Sequence, residues 1–144
     1  MIRALMLAAV AACAVACSNS GSGSDALAGL TSPGSATQVV DSFSGTVPVG
    51  GSDFHSFTVT TNNQPVLVTL SAAGPPATIF MGVGVGTLSA DGVCNLLSNA
   101  AVVAQAGMAA QLSGTIASGT YCVAVFDVGN QNAPVDYAVT VSHY

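Results

Sequence analysis

His55 and His143 are the only side chains of this chain that supply a base near neutral pH. Catalytic use of either needs a nucleophile and an orienting group within reach. His55 stands in phase with Phe57 and Val59, and reads as a partly buried residue at a strand end. Asp53, two residues earlier, reads as a cap on the turn before that strand, a common use of Asp. His143 is in phase with Val139 and Val141 and takes the same structural reading. No Gly-x-Ser-x-Gly elbow, His-Glu-x-x-His helix or phosphate-binding glycine loop occurs. Asp127, with the carbonyls of residues 128–132, could hold calcium. That ion wants six to eight oxygens, usually several of them carboxylates, and a loop rich in turn formers accounts for the segment more simply. The expectation is a non-enzymatic protein with no catalytic residue, no metal and no cofactor.

The four cysteines fall into two groups. Met1, Ile2 and Arg3 are followed by an apolar run, residues 4–16, that ends in Ala14-Val15-Ala16-Cys17. One positive charge, a short apolar stretch and small residues before a cysteine make an export signal. The run is shorter than the roughly 20 apolar residues that cross a bilayer. Both Cys13 and Cys17 have the small residues that precede a lipidated cysteine in bacterial lipoprotein signals. Cys17 is favoured, because cleavage there leaves thirteen apolar residues and is followed at once by Ser18-Asn19-Ser20-Gly21-Ser22-Gly23-Ser24, a flexible polar tether. Ordinary secretion without a lipid is the alternative. Cys94 and Cys122 then remain for the exported domain, where a disulfide is expected. The loop closed is worth roughly 3–4 kcal/mol in chain entropy. Cys122 lies on the face opposite Tyr121, Val123 and Val125, so the bond should pin a loop across an outer face. Two cysteines without Cys-x-x-Cys spacing make a poor zinc site.

Charge narrows the partners. The formal net charge is −5, and Arg3 is the only basic side chain. Removal of residues 1–16 would leave no Lys or Arg, so nucleic-acid binding, which needs cations to displace phosphate counterions, is excluded. The charged side chains left would be Asp25, Asp41, Asp53, Asp91, Asp127 and Asp136. Glycan binding usually exploits exposed aromatics. There is no Trp. Tyr121 and Tyr137 are in phase with the core, whereas Phe80, Phe126 and Tyr144 are in phase with outer faces and form the candidate binding surface. Burial of these three under loops or against the disulfide is the competing reading.

Three segments would position these residues: a signal over residues 1–16, a Ser/Gly/Ala-rich tether over 17–38 and one domain over 39–144. The domain is written in period two. Phe57 and Val59 alternate with Thr58 and Thr60. Val66, Val68 and Leu70 repeat the pattern, followed by Ile79, Met81, Val83 and Val85, then Tyr121, Val123 and Val125, then Tyr137, Val139 and Val141. Such alternation marks half-buried strands. Asn62-Asn63, Gly74-Pro75-Pro76, Asp91-Gly92 and residues 129–134 supply the turns. Short strands at this spacing indicate an all-β sandwich or barrel. Residues 99–110 suit either a helix, by their alanines, or strands, by Gly107 and its neighbours, and are read as strand. The face opposite Ile79 to Val85 carries Phe80, Gly82, Gly84 and Gly86. Either the strand is twisted and exposed there, the favoured reading, or a strand, loop or ligand lies flat on the bare stripe.

Several of these strands resemble the bacterial pre-peptidase C-terminal domain. Gly51-Ser52-Asp53-Phe54-His55-Ser56-Phe57-Thr58-Val59 is similar to its opening strand, and Val66-Leu67-Val68-Thr69-Leu70-Ser71-Ala72 to the next. Gly114-Thr115-Ile116-Ala117-Ser118-Gly119-Thr120-Tyr121-Cys122-Val123-Ala124-Val125 is similar to its Gly-x-Tyr-x-Val-x-Val strand, and Asp136-Tyr137-Ala138-Val139-Thr140-Val141 to the closing one. The resemblance implies a jelly-roll-like antiparallel β-sandwich of about eight strands, in a family of mostly non-catalytic appendages of exported enzymes. Some relatives bind collagen or polysaccharide, and some of those hold calcium. This chain lacks their acidic clusters, so no binding residue is carried over.

The functional expectation is a non-catalytic lipoprotein held at the bacterial cell envelope by its N-terminal lipid, binding a polysaccharide or protein ligand. Self-assembly of a structural surface protein is the second reading, because edges without Lys are poorly guarded against strand pairing. An accessory of a secreted hydrolase is the third.

Overall fold

A computed structural model of the chain describes residues 36–144. The signal, the lipidation at Cys17 and the tether up to residue 35 lie outside the described residues. Eight strands follow one another: β1 (Val39–Val47), β2 (Ser52–Val59), β3 (Gln64–Gly74), β4 (Phe80–Leu88), β5 (Cys94–Gln105), β6 (Leu112–Ile116), β7 (Gly119–Phe126) and β8 (Val135–His143). No helix occurs among the described residues. The segment open to either reading, 99–110, is the second half of β5 and the loop after it.

The strands form two antiparallel sheets of four, in the orders β1-β8-β3-β6 and β2-β7-β4-β5. β1 pairs with β8, β2 with β7, β3 with β6 and β4 with β5. The chain is thus one long hairpin rolled so that alternate pairs fall in opposite sheets, which is the jelly-roll arrangement. Period-two patterning dictates the core. Val66, Val68 and Leu70 of β3 and Tyr137, Val139 and Val141 of β8 point inward from one sheet. Phe57 and Val59 of β2, Met81, Val83 and Val85 of β4, and Val123 and Val125 of β7 meet them from the other.

The two long sides of the sandwich differ. Along one, β1 and β2 approach each other. Polar groups bridge the two sheets there: Tyr137 of β8 donates its hydroxyl to Asp53 Oδ2 (2.9 Å), and His55 Nε2 lies 3.0 Å from the same hydroxyl. The His55 ring stacks on Phe43, with centroids 4.8 Å apart. Further along the seam, His143 Nε2 meets Asp41 Oδ2 at 2.9 Å. On the other side lie β5 and β6, whose outer edges pair with nothing among the described residues. There the β4–β5 register breaks: Gly84 faces Ala101 but Gly86 faces Leu96, so residues 97–100 bulge opposite Val85 alone. Asn99 takes a left-handed backbone (φ 60°), which Asn tolerates better than most residues.

The glycine stripe on β4 is covered, against the favoured reading. Gly82, Gly84 and Gly86 are all buried. A Cβ at Gly82 would collide with the ring of Phe126. One at Gly84 would meet Leu96 and Ala101, and one at Gly86 would strike the backbone of Asn95. The N-terminal part of β5 therefore lies against the sheet's outer surface, an approach that only glycine permits. A fixed long-range geometry, supplied by the β5 bulge, wins over local twist.

Candidate functional site

The register places an aromatic line on the outer face of β2-β7-β4-β5. Phe126 of β7 stands opposite Ser52 on β2 and Gly82 on β4. Phe54 follows Ser52 by two residues, and Phe80 precedes Gly82 by two. Because β2 and β4 run in the same direction, Phe54, Phe126 and Phe80 fall on one diagonal across three strands. Diagonal neighbours on a sheet are about 7–8 Å apart. Phe54 and Phe80 are exposed, Phe80 by 49%. Phe126 is half-buried because its ring packs against the bare backbone of Gly82. Val103 flanks Gly82 from β5 and is also exposed.

The line ends at a cup. Pro75, Pro76, Thr78, Phe80, Asn130 and Asn132 are among the residues that line a concavity of about 300 Å³ beside Phe80. The Asn130 amide donates from Nδ2 to the Phe80 carbonyl at 3.0 Å, which ties the loop to the aromatic strand. The loop itself is organised by Asp127. Its Oδ2 accepts the amide of Gly50 (2.7 Å), and its Oδ1 accepts those of Gly129, Asn130 and Gln131 at 2.8–3.4 Å. These bonds, that of Gly50 first, hold the carboxyl below the usual aspartate range. A group so depressed keeps its contribution at neutral pH and loses it as pH falls through the lowered value. The loop turns the amides of Gly129, Asn130 and Gln131 toward Asp127, which is the geometry of a loop cap.

The structure redistributes the residues singled out by pattern. Phe80 and Phe126 share the aromatic face. Tyr144 does not join them: it lies past β8 in the other sheet, half-buried, and its carbonyl accepts the amides of Thr60 and Thr61. Phe54 takes the third place. Its phase opposite His55 and Phe57 was the signal for it. Cys94 and Cys122 form the disulfide, with Cα atoms 5.9 Å apart. Cys122 is fully buried, and the bond crosses the outer side of β4, since Cys94 faces Leu88 while Cys122 faces Gly86. It pins the covering segment of β5 and leaves the core untouched.

Asp53 is not a turn cap. It sits within β2 opposite Val125, and its carboxylate accepts the Tyr137 hydroxyl and the amide of Phe54. Burial, and then Asp53 itself, push the Tyr137 phenol well above its ordinary value. Gly45 makes the arrangement possible, because a Cβ there would collide with Asp53. His55 is partly buried and in phase with the core, as its spacing predicts. The hydrogen-bond partners of the two histidines are Tyr137 and Asp41, and among the described residues no Ser, Thr or Cys is bonded to either ring.

A second concavity opens between β5 and β6. Val66, Val68 and Val85 form its floor, and Leu97, Leu112 and Ile116 are among its walls, around a volume of about 250 Å³. No charged side chain lines it. No protein-family model matches the chain, and no curated protein matches it.

Proposed function

We propose that this domain is a non-catalytic binding module of the bacterial cell envelope, held there by an N-terminal lipid, with a polysaccharide as its ligand. The observation that carries the reading is the diagonal of Phe54, Phe126 and Phe80 leading into the amide-bearing cup. Half-exposed aromatic rings offer apolar area to the C–H faces of sugar rings, while Thr78, Asn130 and Asn132 offer hydrogen-bonding groups at the end of the line. Three aligned rings suit a chain of repeating units better than a compact ligand. The absence of Lys and Arg from residues 36–144 argues for a neutral polymer over a phosphorylated or sulfated one. The strand motifs that resemble the pre-peptidase C-terminal domain agree with an accessory binding role.

The test is retention of the purified chain on immobilised envelope polysaccharides. Phe80→Ala and Phe126→Ala should each weaken retention about tenfold, a loss of ~1.4 kcal/mol per ring. Unchanged retention in both variants, or silence against every polysaccharide, would sink the reading. Binding to envelope proteins by the same face, lost in the same variants, would redirect it to a protein ligand.

A further inference from the structure

We infer that a second copy of this chain pairs with the free edge of β6 in antiparallel register about Gly114, closing the cleft between β5 and β6. Four observations converge there. First, the edges of the sandwich are unequally guarded. Inward carboxylates and histidines occupy the β1/β2 side (Asp41, Asp53, His55, His143), and inward charge is a recognised bar to strand addition. The β5 edge is interrupted by its bulge at residues 97–100. Beyond β6, the edge of β3 is capped by Gln111, whose side chain accepts from the Leu70 amide at 2.7 Å and donates to the Leu70 carbonyl at 3.3 Å. Among the described residues, β6 alone has an uncharged edge that is neither covered nor broken by a bulge. It pairs with β3 on one side and with nothing described on the other.

Second, the charge distribution leaves this edge as the approach open to a like copy. Residues 36–144 hold five aspartates and neither Lys nor Arg, so two copies repel over most approaches. The cleft and β6 carry no carboxylate. Third, β6 is vacant at its centre. A Cβ at Gly114 would meet nothing within 4 Å, although its neighbours Leu112 and Ile116 point to the same side. Fourth, register is constrained. Inward residues must face inward residues, and full overlap of Leu112–Ile116 with itself then pairs Leu112 with Ile116 across a two-fold axis at Gly114. The β1-β8-β3-β6 sheets of the two copies become one continuous sheet, with a self-complementary contact of the kind two-fold dimers use.

Cysteine crosslinking in cells that export the full chain tests this. Gly114→Cys should give a covalent species of twice the chain mass on a non-reducing gel, while Ser44→Cys, exposed on the opposite β1 edge, should stay monomeric. Crosslinking at both positions or at neither overturns the inference, as does an adduct between Gly114→Cys and a different protein. Sedimentation of the purified chain gives a readout that does not depend on added thiols. The unaltered protein should gain mass with concentration, and the Ser113→Lys/Thr115→Lys double variant should remain a monomer. Association that survives both lysines, or an unaltered chain that stays monomeric throughout, rejects β6 pairing. Polysaccharide retention reports on the other sheet, so failure of either reading leaves the other standing.

Discussion

Tyr137 holds together residues that lie far apart in the chain. Its hydroxyl joins Asp53 and His55, 84 and 82 positions away, across the seam between the two sheets. Buried polar groups stay favourable only while they are hydrogen-bonded. Tyr137→Phe should therefore cost about 1–3 kcal/mol in denaturant unfolding at neutral pH. Its phenol ionises at higher pH folded than unfolded, so its contribution is complete below about pH 10 and fades above it. The wild-type midpoint should fall as pH rises beyond that point, and the variant should lose part of this slope. An identical slope in the two proteins would mean that Tyr137 is not the group responsible. Pattern reading placed Tyr137 and His55 inward by phase, but it could not supply the partner of either. Such pairings depend on which strands become neighbours. Gly45, silent in the sequence, turns out to be the vacancy that admits the Asp53 carboxylate.

Strands were far more legible than their contacts. Alternation alone marks most of β2, β3, β4, β7 and β8, because one face of each must be dry. β5 was harder: its bulge breaks the period at Leu97 to Ala100, and its alanines suit a helix equally well. The same bulge explains why the glycine stripe was misread, since strand β5 can fold over β4 only where its own register slips. The disulfide was within reach of reasoning because the expected export signal accounts for Cys13 and Cys17 and leaves two cysteines to pair. It holds the β5 cover down over β4. Replacing Cys94 and Cys122 together by Ala should lower the melting temperature by about 10–15 °C, from a loss of roughly 3–4 kcal/mol. A shift of only a degree or two, measured by calorimetry, would show that β5 is secured by its backbone pairing alone.

Over the folded domain, charge of one sign sets how it meets other molecules. With carboxylates and no Lys or Arg among residues 36–144, repulsion between copies is long-ranged at low ionic strength and screened within about 8 Å at physiological salt. Added salt should strengthen association of copies while leaving retention on a neutral polysaccharide unchanged. Sedimentation and retention measured over the same salt series check both halves, and weakening of either with salt would reveal an ionic contact that the described surface does not contain. The sandwich architecture was readable from the strand count and turn spacing. The asymmetry between its two long sides was not, because it depends on the rolled order of the strands.

The sulfur bridge also governs how the domain could come apart under tension. It closes a ring of chain that contains β6 of one sheet and is bolted at both ends to the other. A pull along the polypeptide can peel β1, β2 and β3 from one end and β8 from the other, yet the 28-residue interval between the sulfurs cannot pay out. About 95 Å of slack stays locked, and a domain built this way resists shear with a closed ring of folded chain that only a reductant releases.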